Sequence, residues 1–123
     1  MHELESDLTE TITGADFEVT NVLGSGFLEK VYERALVLEL AWRGVSSPTL
    51  RFPFRFATKA SMWANTSPIC VAEKAIVELK CVAHLANEHL AQSINYLKAS
   101  GLRVALLLNF QRPKVEWKRV LPY

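Results

Sequence analysis

The amino-acid sequence predicts an α/β domain, and three features carry that reading. Helical periodicity fills the first third of the chain, a β-branched strand covers Ala75–Cys81, and Leu102–Phe110 is an almost unbroken apolar run. Such a run marks a central strand covered on both faces, because a half-solvated strand would alternate with polar residues. The 123 residues fit one domain over 1–123, long enough to bury a core without disulfides or a structural metal.

The first helix is expected from Leu8 to Leu23, with Asp7 as its cap and Glu10 as the reciprocal capping-box partner. Ile12, Ala15, Val19 and Val22 follow the helical period and form its buried stripe. Gly24-Ser25-Gly26 breaks it. The second helix reads from Phe27 to Arg43, with Leu28, Val31, Tyr32, Ala35 and Leu36 as its apolar face and Gly44 as its stop. Residues 45–70 follow no clear period. Arg51–Phe56 alternates like a strand, but Pro53 inside it restricts it to an edge or a break. Beyond the Ala75–Cys81 strand, Asn87 is placed to cap a helix over Glu88–Ser100 that Gly101 ends. Gln111–Lys114 forms a turn, and Val115–Leu121 alternates as a last strand.

Composition excludes more than it assigns. No apolar run approaches the roughly 20 residues of a membrane span. The acidic start, Met1–Asp7, lacks the basic flank and apolar stretch of a secretory signal, so a cytoplasmic protein without a membrane partner is expected. Cys70 and Cys81 make no metal-ligand spacing and read as small buried hydrophobes. The formal net charge of +1 gives no support to a nucleic-acid partner, since such binders draw affinity from neutralising phosphates.

The chemistry-bearing feature is the strand Ile76-Val77-Glu78-Leu79-Lys80. Side chains alternate across a strand, so Glu78 and Lys80 share one side while Val77 and Leu79 take the other. A carboxylate there can bind a hard cation such as Mg²⁺, and an ammonium beside it can steady an attacking water or a phosphate. By itself the pair is more simply an edge strand with its polar side in water. On the next helix His89, Gln92 and Tyr96 are spaced by three and four, which lines them along one face that could meet the same cleft. The plainer reading of that face is solvent exposure with Tyr96 half buried. His84 and His89, five apart, fall on different faces and make a poor metal pair.

Gly26-Phe27-Leu28-Glu29-Lys30-Val31-Tyr32 resembles the Gly-x-x-Glu-x-x-Tyr signature of the GxxExxY proteins, a family grouped with the PD-(D/E)XK nucleases. Ile76–Lys80 resembles their Glu-x-Lys strand, His89–Leu97 their following helix, and Gly101–Phe110 their central strand. The similarity covers about residues 8–45 and 73–120, in order. It implies a restriction-endonuclease-like mixed sheet flanked by helices, with two helices first, one helix after the Glu-x-Lys strand and two strands at the end. It also implies site roles: Glu78 as ligand of a divalent metal such as Mg²⁺, Lys80 as stabiliser of the nucleophile or scissile phosphate, and Gln92 with Glu29 as orienting groups.

The chain departs from the family where an acidic metal ligand is expected before the Glu-x-Lys strand. Ala64-Asn65-Thr66-Ser67-Pro68-Ile69 stands there instead, with Ile69 in the place of an aspartate, and the resemblance then implies an impaired or inactive nuclease-like domain. Reading the codons one base earlier forces Val-Gly from Met62-Trp63-Ala64 and permits Glu, Tyr, Phe, Ala and Asp from Asn65 to Ile69. This matches a Gly-Glu-Tyr-x-Ala-Asp family segment and predicts that residues from about Ser46 to Cys70 are translated out of frame. True divergence is the alternative, and the gene's nucleotides decide between them. Two further readings compete: a non-enzymatic interaction domain using aromatics near Phe54 and Trp63, and a nucleic-acid binder without cleavage, which the net charge disfavours.

Overall fold

The computed structural model describes residues 2–45, 69–111 and 114–122. Helix α1 spans His2–Leu23 and α2 spans Glu29–Trp42. Strands β1 (Ile69–Val71) and β2 (Ala75–Lys80) follow, then helix α3 (Asn87–Ser100) and strands β3 (Val104–Asn109) and β4 (Glu116–Val120). The Arg51–Phe56 alternation, Pro53, and the aromatics Phe54 and Trp63 lie outside the described residues.

Helix α1 starts five residues before the expected cap. Asp7 lies inside it, and its carbonyl accepts a hydrogen bond from Thr11 Oγ1 at 3.0 Å. A cap residue needs a non-helical backbone, and nothing in His2–Ser6 interrupts a helix. Ile12, Ala15 and Val19 are buried as the period requires, whereas Val22 is exposed near the end of the helix. In α2 the buried set is Tyr32, Leu36 and Leu40, one turn apart. Leu28 and Val31, expected on that face, are exposed, because the helix begins only at Glu29 and its buried stripe is narrower than the apolar composition suggests.

The sheet runs in the order β1-β2-β3-β4. β1 and β2 form an antiparallel hairpin, β2 and β3 are parallel, and β3 and β4 are antiparallel. A parallel pair cannot be joined by a tight turn, so α3 makes the crossover between β2 and β3. Strand alternation then sorts two cores. Val77, Leu79, Leu106 and Leu108 face the α1–α2 hairpin and pack with Ile12, Val19, Tyr32 and Leu36. Ile76, Ala105 and Leu107 face α3 and meet Leu97 and Val120. Every residue of β2 and β3 is buried, as an apolar strand covered on both faces should be. Among the described residues this is a mixed sheet flanked by helices, with the element order of the restriction-endonuclease-like fold.

Three details were not read from the sequence or were read differently. β1 is only three residues long, too short to show a period, yet all three are buried. It includes Cys70, which pairs with Ile76, and both Cys70 and Cys81 are free thiols. The turn between β1 and β2 places Ala72 at φ 53° and Glu73 at φ 57°, with Lys74 N–H donating to the Val71 carbonyl at 3.0 Å. Two successive positive φ values make the tight hairpin turn that Asn-Gly adopts readily and that Ala-Glu adopts under strain. The cap of α3 is Ala86 rather than Asn87, and His89 Nδ1 accepts the Ala86 N–H at 2.8 Å. Gly101, at φ 74°, ends α3 as expected.

Asp16 on α1 is fully buried. Thr20 Oγ1 donates weakly to its Oδ1 at 3.4 Å, and Oδ2 has no hydrogen-bond partner among the described residues. Burial raises its pKa from 3.8 to about 7, with the Thr20 contact opposing. A carboxyl whose folded pKa lies above its unfolded value holds a proton in the native state that the unfolded chain has lost. Its stabilising contribution is therefore complete below about pH 4 and declines as pH rises toward 7.

Two outcomes are expected. Asp16→Asn should raise unfolding stability at pH 8 by roughly 2–4 kcal/mol and flatten its decline from pH 5 to 8 in urea titrations. Because Glu78 also has a pKa raised to about 7, part of the slope remains. An unchanged slope would show that Asp16 ionises freely in the folded chain. Replacing Ala72-Glu73 with Asn-Gly should stabilise by about 1–2 kcal/mol by removing left-handed strain, and a lower urea midpoint would contradict the turn geometry.

Candidate active site

β2 lies between β1 and β3, so the expectation of an edge strand with its polar side in water does not hold. Glu78 and Lys80 share the α3 side of the sheet and are only 4% and 8% exposed. Two charges at such depth are costly unless they are paired and hydrogen-bonded. Lys80 Nζ donates to Gln92 Oε1 at 3.1 Å and lies 3.9 Å from Glu78 Oε2. Gln92 Nε2 in turn reaches the Tyr96 hydroxyl at 3.5 Å. The sequence-predicted trio Glu78, Lys80 and Gln92 is therefore assembled, with Tyr96 behind it. His89 is not part of it, since its ring caps α3.

Burial pushes the Glu78 carboxyl up to about 7; Lys80 opposes this, Glu29 adds to it, and the Ser93 hydroxyl relieves a little. Ser93 is fully buried on α3 and approaches Glu78, yet neither Ser93 Oγ nor Glu78 Oε2 has a hydrogen-bond partner among the described residues. A carboxylate oxygen left orphaned in a buried cleft is a position where a cation or a donor group would be favourable. Glu29 is raised as well, first by burial, with Lys80 lowering it and Glu33 raising it. Although Glu29 begins α2, on the opposite layer from α3, its charge is felt by both Glu78 and Lys80. Glu29 is thus linked to Glu78 and Lys80 through charge, and Gln92 through its hydrogen bond to Lys80.

Tyr32 explains how Glu29 is delivered there. Its hydroxyl donates to the Gly24 carbonyl at 2.6 Å and accepts the Phe27 N–H at 3.2 Å, pinning the turn between α1 and α2. Gly24 and Gly26 stand at φ 70° and 102°, a backbone that glycine adopts without penalty. The Tyr32 ring stacks on Phe110 with centroids 4.6 Å apart, and Phe110 N–H donates to the Lys80 carbonyl at 2.9 Å. The Gly-x-x-Glu-x-x-Tyr spacing therefore has a physical content: Gly26 makes the turn, Tyr32 locks it to the end of β2, and Glu29, one turn before Tyr32, begins α2. Sequence reasoning saw Tyr32 as an apolar-face residue and as the tyrosine of the signature, without a role for its hydroxyl.

Asn109 was missed altogether. Its Oδ1 accepts from Val82 N–H at 3.1 Å and Gln111 N–H at 3.2 Å, while its Nδ2 donates to the Val82 carbonyl and to Glu116 Oε1, both at 2.8 Å. The amide thus uses all four of its hydrogen-bonding positions. In register with Lys80, it extends the β2–β3 ladder past the last backbone pair and holds the chain that leads into α3. The available signal was a lone amide closing the otherwise apolar strand Val104–Asn109.

The expected third acid is not supplied by the described residues. Ile69 pairs with Val77 and is buried in the α1–α2 core, so its side chain points away from Glu78. Among the described residues of β1, Cys70 is the one whose side chain shares the Glu78 side, and it is not an acid. The placement of the missing aspartate at Ile69 is corrected accordingly. Glu73 cannot stand in either. It occupies the turn at the opposite end of β2, five residues or about 16 Å of strand from Glu78. No group of three or more His, Cys, Asp or Glu side chains able to hold a metal occurs among the described residues. Mg²⁺ is commonly held by only one or two carboxylates, with water and substrate phosphate completing its shell.

Asn109→Ala should destabilise by roughly 2–4 kcal/mol in urea titrations, because it removes the four hydrogen bonds that join Val82, Gln111 and Glu116 at this corner. Asn109→Asp should do no better, since Asp cannot donate to Val82 and repels Glu116. A loss below about 1 kcal/mol for both would mean that water replaces the clamp.

A family model for the PD-(D/E)XK nuclease superfamily matches residues 6–120. Nucleases of that superfamily generally depend on a divalent metal. No curated protein and no solved structure matches the chain. The match spans all the elements that build the site, from α1 to β4, and the buried Glu-x-Lys strand stands at its centre: the chain belongs to the PD-(D/E)XK nuclease superfamily.

Proposed function

We propose that the chain is a nuclease-like domain of GxxExxY type whose phosphodiester hydrolysis is impaired or absent. The observation that carries this reading is the convergence of Glu78, Lys80, Gln92 and Glu29 without a further acid beside Glu78 among the described residues. The Gly26, Glu29 and Tyr32 geometry supports the GxxExxY assignment. Among the described residues no helix is long and apolar enough to cross a membrane, and a cytoplasmic location is part of the proposal.

In this reading Glu78 offers its orphaned oxygen to a divalent metal, with Mg²⁺ the expected ion. A bound metal supplies charge stabilisation and a water of lowered pKa. Lys80 presents an ammonium to the scissile phosphate, held in aim by Gln92, which Tyr96 backs. Glu29 closes the site from the α2 side. Losing one carboxylate ligand weakens metal binding and leaves transition-state charge less well compensated, so the rate falls even if substrate still binds.

A second reading, a non-enzymatic interaction domain, draws on a groove of about 230 Å³ between α1 and α2, lined by Val19, Val22, Leu38 and Trp42 with Trp42 almost wholly exposed. It predicts that partner capture is indifferent to Glu78→Ala and Lys80→Ala.

Purified protein incubated with DNA and RNA in Mg²⁺ or Mn²⁺ is expected to cleave neither at an appreciable rate, and Glu78→Ala should remove whatever cleavage remains. Vigorous cleavage abolished by Glu78→Ala would show a complete metal site. Residual cleavage indifferent to Glu78→Ala and Lys80→Ala would remove these residues from the chemistry.

A further inference from the structure

We propose that Phe27 is a stacking platform for an unpaired nucleobase, so that this site takes single-stranded or locally unpaired nucleic acid. The inference rests on the nuclease-like reading above and specifies its substrate. Phe27, Leu28 and Val31 surround Glu29 in the chain and are 48%, 77% and 37% exposed. Three apolar side chains are thus left in solvent at the one end of α2 that contributes to the site, while Tyr32, Leu36 and Leu40 fill the core on the opposite side of the helix.

Phe27 is held rather than loose. Its N–H donates to the Tyr32 hydroxyl, and its ring meets the Tyr32 ring edge-to-face, with centroids 6.1 Å apart and planes at 84°. Tyr32 stacks on Phe110, whose N–H is bonded to the Lys80 carbonyl. A half-exposed aromatic ring is therefore tied through two ring contacts and a backbone hydrogen bond to the end of the strand that carries Lys80. Phe27 thus presents a pre-organised apolar surface that no conformational change has to create.

Electrostatics favours an unpaired substrate. A duplex binder relies on phosphate neutralisation, and this chain carries a formal net charge of +1 with Glu29, Glu33 and Glu78 at or near the site. The nearby Lys30 ammonium lies 3.8 Å from Glu33 and is partly compensated. Affinity must then come from the bases themselves. Stacking on an aromatic ring supplies it without sequence preference, and only a base outside a duplex stack can reach the ring.

The test uses the full chain in chelator, so that no strand is cut, and measures fluorescence anisotropy of a labelled oligothymidylate and of a blunt hairpin duplex. Wild type should prefer the single strand. Phe27→Ala should weaken single-strand binding about 5- to 150-fold with an unchanged urea midpoint. Phe27→Trp should retain binding and show indole quenching on addition of oligothymidylate beyond that of wild type, a signal that a purely structural role would not produce. Leu38→Ala, another exposed apolar residue of α2, should behave as wild type. Single-strand binding indifferent to Phe27→Ala overturns the platform and leaves the nuclease-like reading standing. Binding of neither oligonucleotide by wild type overturns both. Self-association in sedimentation that Phe27→Ala abolishes, with oligonucleotide binding unaffected, would assign the patch to protein docking and overturn the platform.

Discussion

Two opposite charges buried two residues apart on a central strand set the terms for the rest of this molecule. A strand covered on both faces is normally apolar on both, and β2 obeys that rule toward α1 and α2 through Val77 and Leu79. On the α3 side it carries Glu78 and Lys80 at nearly full burial. The desolvation of each ion costs several kcal/mol even after relaxation, so the partners are not optional. Lys80 finds Gln92, which requires α3 to cross the sheet with that face inward. Glu78 is only partly compensated, and its pKa rises accordingly. An apolar pair of similar volume at positions 78 and 80 would pack with less strain. Retaining the ions at such a position is consistent with chemistry being their purpose.

The helices on the other face are bound to this strand through aromatic contacts rather than charge. Tyr32 ties the Gly24–Phe27 turn to Phe110, and Phe110 is bonded to the Lys80 carbonyl. Asn109 does the corresponding work on the α3 side by fixing Val82 and Glu116. The end of β2 is thus held from both layers. A short motif that reads as glycine, glutamate and tyrosine at intervals of three becomes a turn, the first residue of α2 and a lock. None of these roles is visible from residue type alone, because each depends on which backbone group lies opposite.

Where sequence reasoning went astray, the causes are specific. Asp7 has the chemistry of a cap, but a cap signal cannot say whether the helix has already begun. Leu28 and Val31 are apolar and suitably spaced, yet the helix starts after Leu28 and its core-facing stripe runs through Tyr32, Leu36 and Leu40. His89 shares a helical face with Gln92 on paper, but it sits in the first turn, where the exposed N–H groups claim its ring. Ile69 was assigned the place of an acid by linear comparison. The hairpin register shows that a shift of one residue moves a side chain to the opposite side of the sheet.

The site role of Glu29 came from the family resemblance, whereas the local pattern alone determined the helix and strand types, the two-faced strand with Glu78 and Lys80 on a common side, the shared helical face of Gln92 and Tyr96, and the glycine stop after α3. These follow from period, turn chemistry and alternation, which are properties of neighbouring residues. Tertiary structure decided that β2 is central rather than an edge, that α3 brings Gln92 onto Lys80, and that Tyr32 and Asn109 hold the end of β2 from the two layers. It also decided that Phe27 remains half exposed just before α2. Those outcomes depend on contacts between residues far apart in the chain, such as Tyr32 with Phe110 or Val82 with Asn109, and no local pattern encodes which distant surface a side chain will meet.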